Sequence, residues 1–201
     1  RDGLARRDEL LARAERTVLW FEHDLFDQLQ LLQILAQVDV EHEVELIQAG
    51  DYLGPLDADA LEALWPTRRA IERTTIDTAR IAWAAICTGD VARARAVDLR
   101  ALPYVEPALR RLEEERVEPS RTKRQLLRAI AEGAATPVEA FRANQSYEEA
   151  IFLGDTWAFL KLHELAREGL VTPLPEPPPR GDYRTFADAR VALTPRGQGH
   201  V

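Results

Sequence analysis

The chain has 201 residues, 46% hydrophobic and 30% charged, with 26 Lys and Arg against 34 Asp and Glu for a net charge of -8. That balance is globular and excludes a disordered or fibrous chain. No segment reaches the roughly 18 uncharged apolar residues of a membrane span, and a single Cys87 excludes both an internal disulfide framework and a Cys-based zinc site.

Residues 1–16 carry five Arg, two Asp and two Glu without an apolar run, which is not a secretory signal. The expected setting is therefore the cytoplasm of a bacterium, with no membrane partner. The charge is uneven. Residues 120–201 hold 11 basic and 10 acidic residues (net +1), leaving 15 and 24 (net -9) before them. A boundary is expected near Pro119, dividing the chain into 1–118 and 119–201.

The first part reads as a partial, Rossmann-like α/β domain with a helical extension. Thr17 to Phe21 is a continuous apolar run, the pattern of a covered strand. Leu25 to Val38 has helical spacing, with Leu25, Leu29, Leu32 and Leu35 on one stripe. Val44 to Ile47 reads as a second strand ending at Gly50-Asp51. Strand, helix, strand at this spacing predicts a parallel βαβ unit. Two parallel strands do not stand alone. Further strands are therefore expected upstream or from a partner. Together with the absence of Met and a start at Arg1, this leads to the expectation of at least one strand and a further acidic residue upstream of Arg1.

From Asp57 the pattern turns helical. Asp57 is expected to cap Ala58 to Leu64, and Thr74 with Asp77 frames a helix to about Cys87, with Ile76, Ala79, Ile81 and Trp83 on its apolar side. A further amphipathic helix covers Ala108 to Arg116. Trp20, Trp65, Trp83 and Trp157 read as core anchors, and Cys87 as a small buried hydrophobe. Gln28, Gln30, Gln33 and Gln37 read as packing residues on an otherwise uncharged helix.

The second part reads as a winged helix-turn-helix. Ser120 caps a basic helix with Leu126, Leu127 and Ile130 inward. Thr136-Pro137-Val138-Glu139 is a capping box, and Ser146-Tyr147-Glu148-Glu149 reads as another. Asp155 is expected to cap Thr156 to Glu168, with Trp157, Leu160, Leu162 and Leu165 periodic. Leu170 to Thr172 and Arg190 to Leu193 are candidate wing strands around a Pro-rich loop, Pro173 to Pro179. The ending Leu193-Thr194-Pro195-Arg196-Gly197 is similar to one found in bacterial winged-helix regulators.

Two chemistries are candidates. Glu22, Asp24, Asp27 and Asp51 lie at the predicted carboxyl ends of the strands, the edge where open α/β sheets bind ligands. Converging, they would hold a hard cation, Mg or Mn, and could support metal-dependent phosphoryl transfer or nuclease-like chemistry. The competing reading makes Asp24 a helix cap, Asp27 a dipole partner and Asp51 a turn residue. In the second part Arg121, Lys123, Arg124, Lys161, Arg167 and Arg184, with Arg180 and Arg190 near the wing, are candidates for DNA contact. Net +1 is thin for phosphate binding, and a protein partner or homo-oligomer is the alternative.

The run Val18 to Leu32, Val-Leu-Trp-Phe-Glu-His-Asp-Leu-Phe-Asp-Gln-Leu-Gln-Leu-Leu, is similar to the hallmark of a bacterial family known as domain of unknown function 1835. Gly50-Asp51-Tyr52-Leu53-Gly54, Leu64-Trp65-Pro66-Thr67-Arg68 and Phe152-Leu153-Gly154-Asp155-Thr156 also resemble it. Together these runs span nearly the whole chain. The resemblance implies an additional N-terminal α/β segment carrying a Gly-Asp after its first strand, and transcription-related labelling of some members. It implies no established activity. The expectation is a ligand- or partner-binding α/β domain joined to a regulatory winged helix, with a metal-dependent enzyme as the alternative.

Overall fold

A computed structural model of the chain describes residues 2–39, 42–177 and 183–201. The fold is mixed α/β and mainly helical, and it divides into two compact units, Arg1–Glu113 and Glu114–Val201. Among the described residues no helix is long and apolar enough to cross a membrane.

The first unit begins with α1 (Asp2–Arg13), an element the sequence reading did not anticipate. Next come β1 (Arg16–Phe21), α2 (Leu25–Gln37) and β2 (Glu43–Gln48). β1 and β2 are parallel, in register from Arg16 opposite Glu43 to Phe21 opposite Gln48. After α3 (Ala58–Leu64), the short β3 (Arg69–Ala70) pairs antiparallel with β2, giving the order β1-β2-β3. A third strand therefore comes from this chain itself, an element the sequence pattern does not announce. Its two residues are too few to leave a periodic signal. α4 (Arg73–Cys87), α5 (Val91–Arg95) and α6 (Val105–Glu115) follow, with α6 running across the boundary between the units.

Alternation along the strands decides which face is covered. Leu19, Phe21, Val44 and Leu46 pack with Leu31, Leu32 and Leu35 of α2 and with Ala79, Ala82 and Ala85 of α4. Each fully buried Leu here contributes roughly 1.5–3 kcal/mol. The alanine stripe lets α4 approach α2 closely. Ile81, expected on the apolar side, lies about 100° round the helix from Ala82 and is exposed, and Cys87 is exposed too. Glu72, without a side-chain cap bond, precedes α4, where Thr74 was expected to begin the helix.

The second unit contains α7 (Arg121–Ala131), α8 (Pro137–Ser146), α9 (Asp155–Arg167), α10 (Arg184–Ala187) and α11 (Pro195–Gln198). Ser120 and Thr136 cap α7 and α8 as their sequences require, and Glu139 reaches back to the Ala135 N–H. Leu126, Leu127, Phe159, Leu162 and Phe186 form the core. The expected capping box at Ser146 is instead the end of α8, with Tyr147 as its C-cap. The expected cap Asp155 is the first residue of α9, preceded by Gly154. Of the expected wing, one antiparallel bridge forms between Val171 and Leu193, flanked by Thr172 N–H donating to Ala192 O and Thr194 N–H to Leu170 O. Pro178, Pro179 and Arg180 lie outside the described residues.

Candidate functional site

β1 ends at Phe21, and the next three residues, Glu22 to Asp24, turn the chain into α2. Asp24 is its N-cap: Oδ1 accepts from the Phe26 N–H at 2.7 Å and the Asp27 N–H at 3.1 Å. Asp27 Oδ2 accepts from the Glu22 N–H at 2.7 Å. Glu22 Oε1 accepts from the Leu53 N–H at 2.6 Å, tying this turn to the loop after β2. The Asp24 bonds are the capping role the sequence offered as an alternative to metal binding; the Asp27 and Glu22 bonds to backbone N–H groups were not foreseen.

The same bonds bring one carboxylate oxygen from each of Glu22, Asp24 and Asp27 within 4.8 Å of one another. Three anions at that separation repel. Burial, first, and the neighbouring Glu22 charge raise the Asp24 carboxyl above its usual range despite the two N–H donors. Burial likewise raises Asp27, assisted by the charges of Asp24 and Glu22. A hard divalent cation would relieve both penalties, and an all-oxygen donor set suits Mg or Mn rather than a softer metal.

Asp51, the fourth expected ligand, does not join the group. It is exposed, with its Oδ1 accepting from the Tyr52 N–H at 2.8 Å, and it serves the turn. What the second strand's loop sends to the cluster is the Leu53 amide, a backbone contribution that no side-chain pattern announces. Gln28, expected to serve packing, adds to the turn. It is completely buried, its Nε2 donates to the Glu22 carbonyl, and its Oε1 has no partner among the described residues. Gln33 and Gln37 do serve packing, accepting from Arg7 of α1 at 3.4 and 3.2 Å.

His23 lies beside the cluster without entering it. Its ring sits 5.2 Å from Tyr52 and 6.0 Å from Tyr104, and its buried Nδ1 has no partner among the described residues. A Cβ at Gly50 would come within 2.8 Å of Tyr104 Oη, so glycine there lets that ring close over the loop. Trp20 stacks on Trp65 at 6.2 Å, and the Arg68 guanidinium lies 4.4 Å from the centre of the Trp65 ring. Trp65 and Trp157 are exposed, which corrects their reading as core anchors.

The cations proposed for DNA contact are spread over α7, α9 and α10, and several are consumed by carboxylates. Lys123 is buried, with Nζ 2.8 Å from Glu168, 3.1 Å from Glu118 and 3.3 Å from Glu164. Burial alone would lower its pKa, but these three hydrogen bonds carry it above the ordinary lysine value. Its charge is already paired with carboxylates. Arg121 pairs with Glu114 at 2.8 Å, Arg124 donates to the Pro119 carbonyl, and Lys161 pairs with Glu164 at 3.1 Å. Arg167 and Arg184 are exposed.

No family model, no curated protein and no solved structure matches the chain.

Proposed function

We propose that this chain is a two-unit binding protein. Its Rossmann-like α/β unit holds a hard divalent cation, Mg or Mn, at Glu22, Asp24 and Asp27, and its helical unit is a winged-helix-like regulatory module that engages a protein partner. The observation carrying the cation reading is the convergence of three carboxylate oxygens within 4.8 Å, two of them on carboxyls with raised pKa. Groups forced together at such cost are candidates for function.

The set favours binding over phosphoryl transfer. All three carboxylates come from one six-residue stretch, and each already accepts a backbone N–H. A protein partner is favoured over DNA because Arg121, Lys123 and Lys161 are held by glutamates, whereas phosphate binding needs several available cations on one face.

Thermal unfolding with and without Mg or Mn tests the cation. Occupancy at about 100 times Kd adds about 2.7 kcal/mol of stability, so a raised melting temperature is expected for the parent chain and none for Asp24→Asn with Asp27→Asn. A shift of equal size in both would refute the assignment.

A further inference from the structure

The helical unit carries a cleft of about 470 Å³ between α8, α9 and α10 that none of the preceding roles uses. Its volume falls in the range of small-molecule sites. Its floor is aromatic. Phe141 meets Phe159 edge-on at 6.3 Å, and Tyr183 lies 6.1 Å from Phe159. Phe159 is buried, while Phe141 and Tyr183 are half-buried and both line the cleft.

The rim is charged with an excess of one sign. Arg142 and Arg184 line the cleft, against the single carboxylate of Asp155. Asp155 Oδ1 accepts from the Thr156 N–H at 2.6 Å, and Arg184 has an interaction of its own. Arg142 has neither an ion pair nor a side-chain hydrogen bond among the described residues. A guanidinium over an aromatic floor offers a fork of donors to a carboxylate and an apolar surface to the body attached to it.

We propose that this cleft binds an aromatic carboxylic acid, its ring system against Phe141, Phe159 and Tyr183 and its carboxylate toward Arg142 and Arg184. The space suits one mono- or bicyclic ring. An extended peptide would need a longer trough. Ion pairing at an open rim is worth little by itself, so ring burial supplies most of the affinity and the arginines supply the choice of anion over neutral analogue.

The test is calorimetric titration of the full chain with 2-naphthoate at low ionic strength, with 2-naphthamide as the uncharged counterpart. Saturable binding with Kd at or below about 1 mM, weakened about fivefold or more in Arg142→Ala with Arg184→Ala and in the amide, is the expected result. Both arginines are exposed, so circular dichroism should show that the double variant keeps its fold. Ala187→Leu, which narrows the cleft from α10, should abolish binding while leaving both charges. The absence of saturable binding, equal affinity for acid and amide, or unchanged affinity in either variant would overturn the proposal.

Discussion

The Glu22 backbone N–H donates to Asp27 Oδ2 at 2.7 Å, closing the chain between β1 and α2 into a loop with Asp24 at its centre. One short bond thus orders the helix start and also fixes the separation of three acids. Structure and candidate chemistry share the same atoms, so substitutions must be chosen to separate them.

Asp24 allows that separation. Asn retains an oxygen for the Phe26 and Asp27 amides, whereas Ala does not. Without cation at neutral pH, Asp24→Asn should be as stable as the parent or more so, and Asp24→Ala should lose about 1 kcal/mol. Chemical denaturation measures both.

The pH profile follows from the same carboxyls. Asp24 and Asp27 are raised above the ordinary 3.8, so the folded chain binds protons that the unfolded one has released. Stability in the absence of cation should therefore fall as pH rises from about 4 through the raised folded values. Denaturation midpoints collected across that range should show the decline in the parent, and a smaller one in Asp24→Asn.

Lys123 governs the helical unit. Lys123→Met keeps the buried stem and Lys123→Ala does not; the expected losses are about 1 kcal/mol and about 2–3 kcal/mol. The partner glutamates stay solvated, which limits both. Because the ammonium's pKa is raised above 10.5, its contribution is complete below that pH and disappears as pH rises through the folded value. The parent should lose more stability in alkali than Lys123→Met does, as fluorescence-monitored unfolding can record.

Gly197 is a packing constraint. A Cβ there would lie 1.9 Å from the Leu170 carbonyl oxygen, a backbone atom in the segment that bridges to Leu193. Gly197→Ala should destabilise the helical unit by about 2–4 kcal/mol, whereas Gly154→Ala, which meets nothing within 4 Å, should cost far less. Parallel thermal melts distinguish the two.

For the helical unit's partner, anisotropy titration with duplex DNA at about 50 mM salt should show weak binding at most, with a shallow salt dependence. A steep slope, near -0.9 for each phosphate contacted, would restore DNA as the partner.

The βαβ core was legible because its signals are long. The apolar run Thr17 to Phe21 and the leucine stripe of α2 each persist for several residues, and Asp24, Asp57, Ser120 and Thr136 all cap helices as their positions suggested. Short or locally ambiguous signals misled. Ser146-x-x-Glu149 has the letters of a capping box, but the chain is leaving α8 there. β3 is two residues long, and its pairing with Glu45 and Leu46 is a tertiary event. At the candidate site the acids within one stretch, Glu22 to Asp27, were readable. Asp51 failed because extrapolating from strand ends fixes an edge of the sheet but not a distance of a few ångströms. The three glutamates around Lys123 were not readable, because sequence counts charges without showing which are already paired.

The central claim is that Glu22, Asp24 and Asp27 together hold a hard divalent cation, and direct titration of the full chain with Mn, followed by the loss of the free-ion paramagnetic signal, tests it. The account predicts one saturable site per chain in the parent, displaced by excess Mg and lost in Asp24→Asn with Asp27→Asn while Asp51→Asn retains it. Absence of saturable uptake by the folded parent, or uptake unchanged in the double variant, would contradict it.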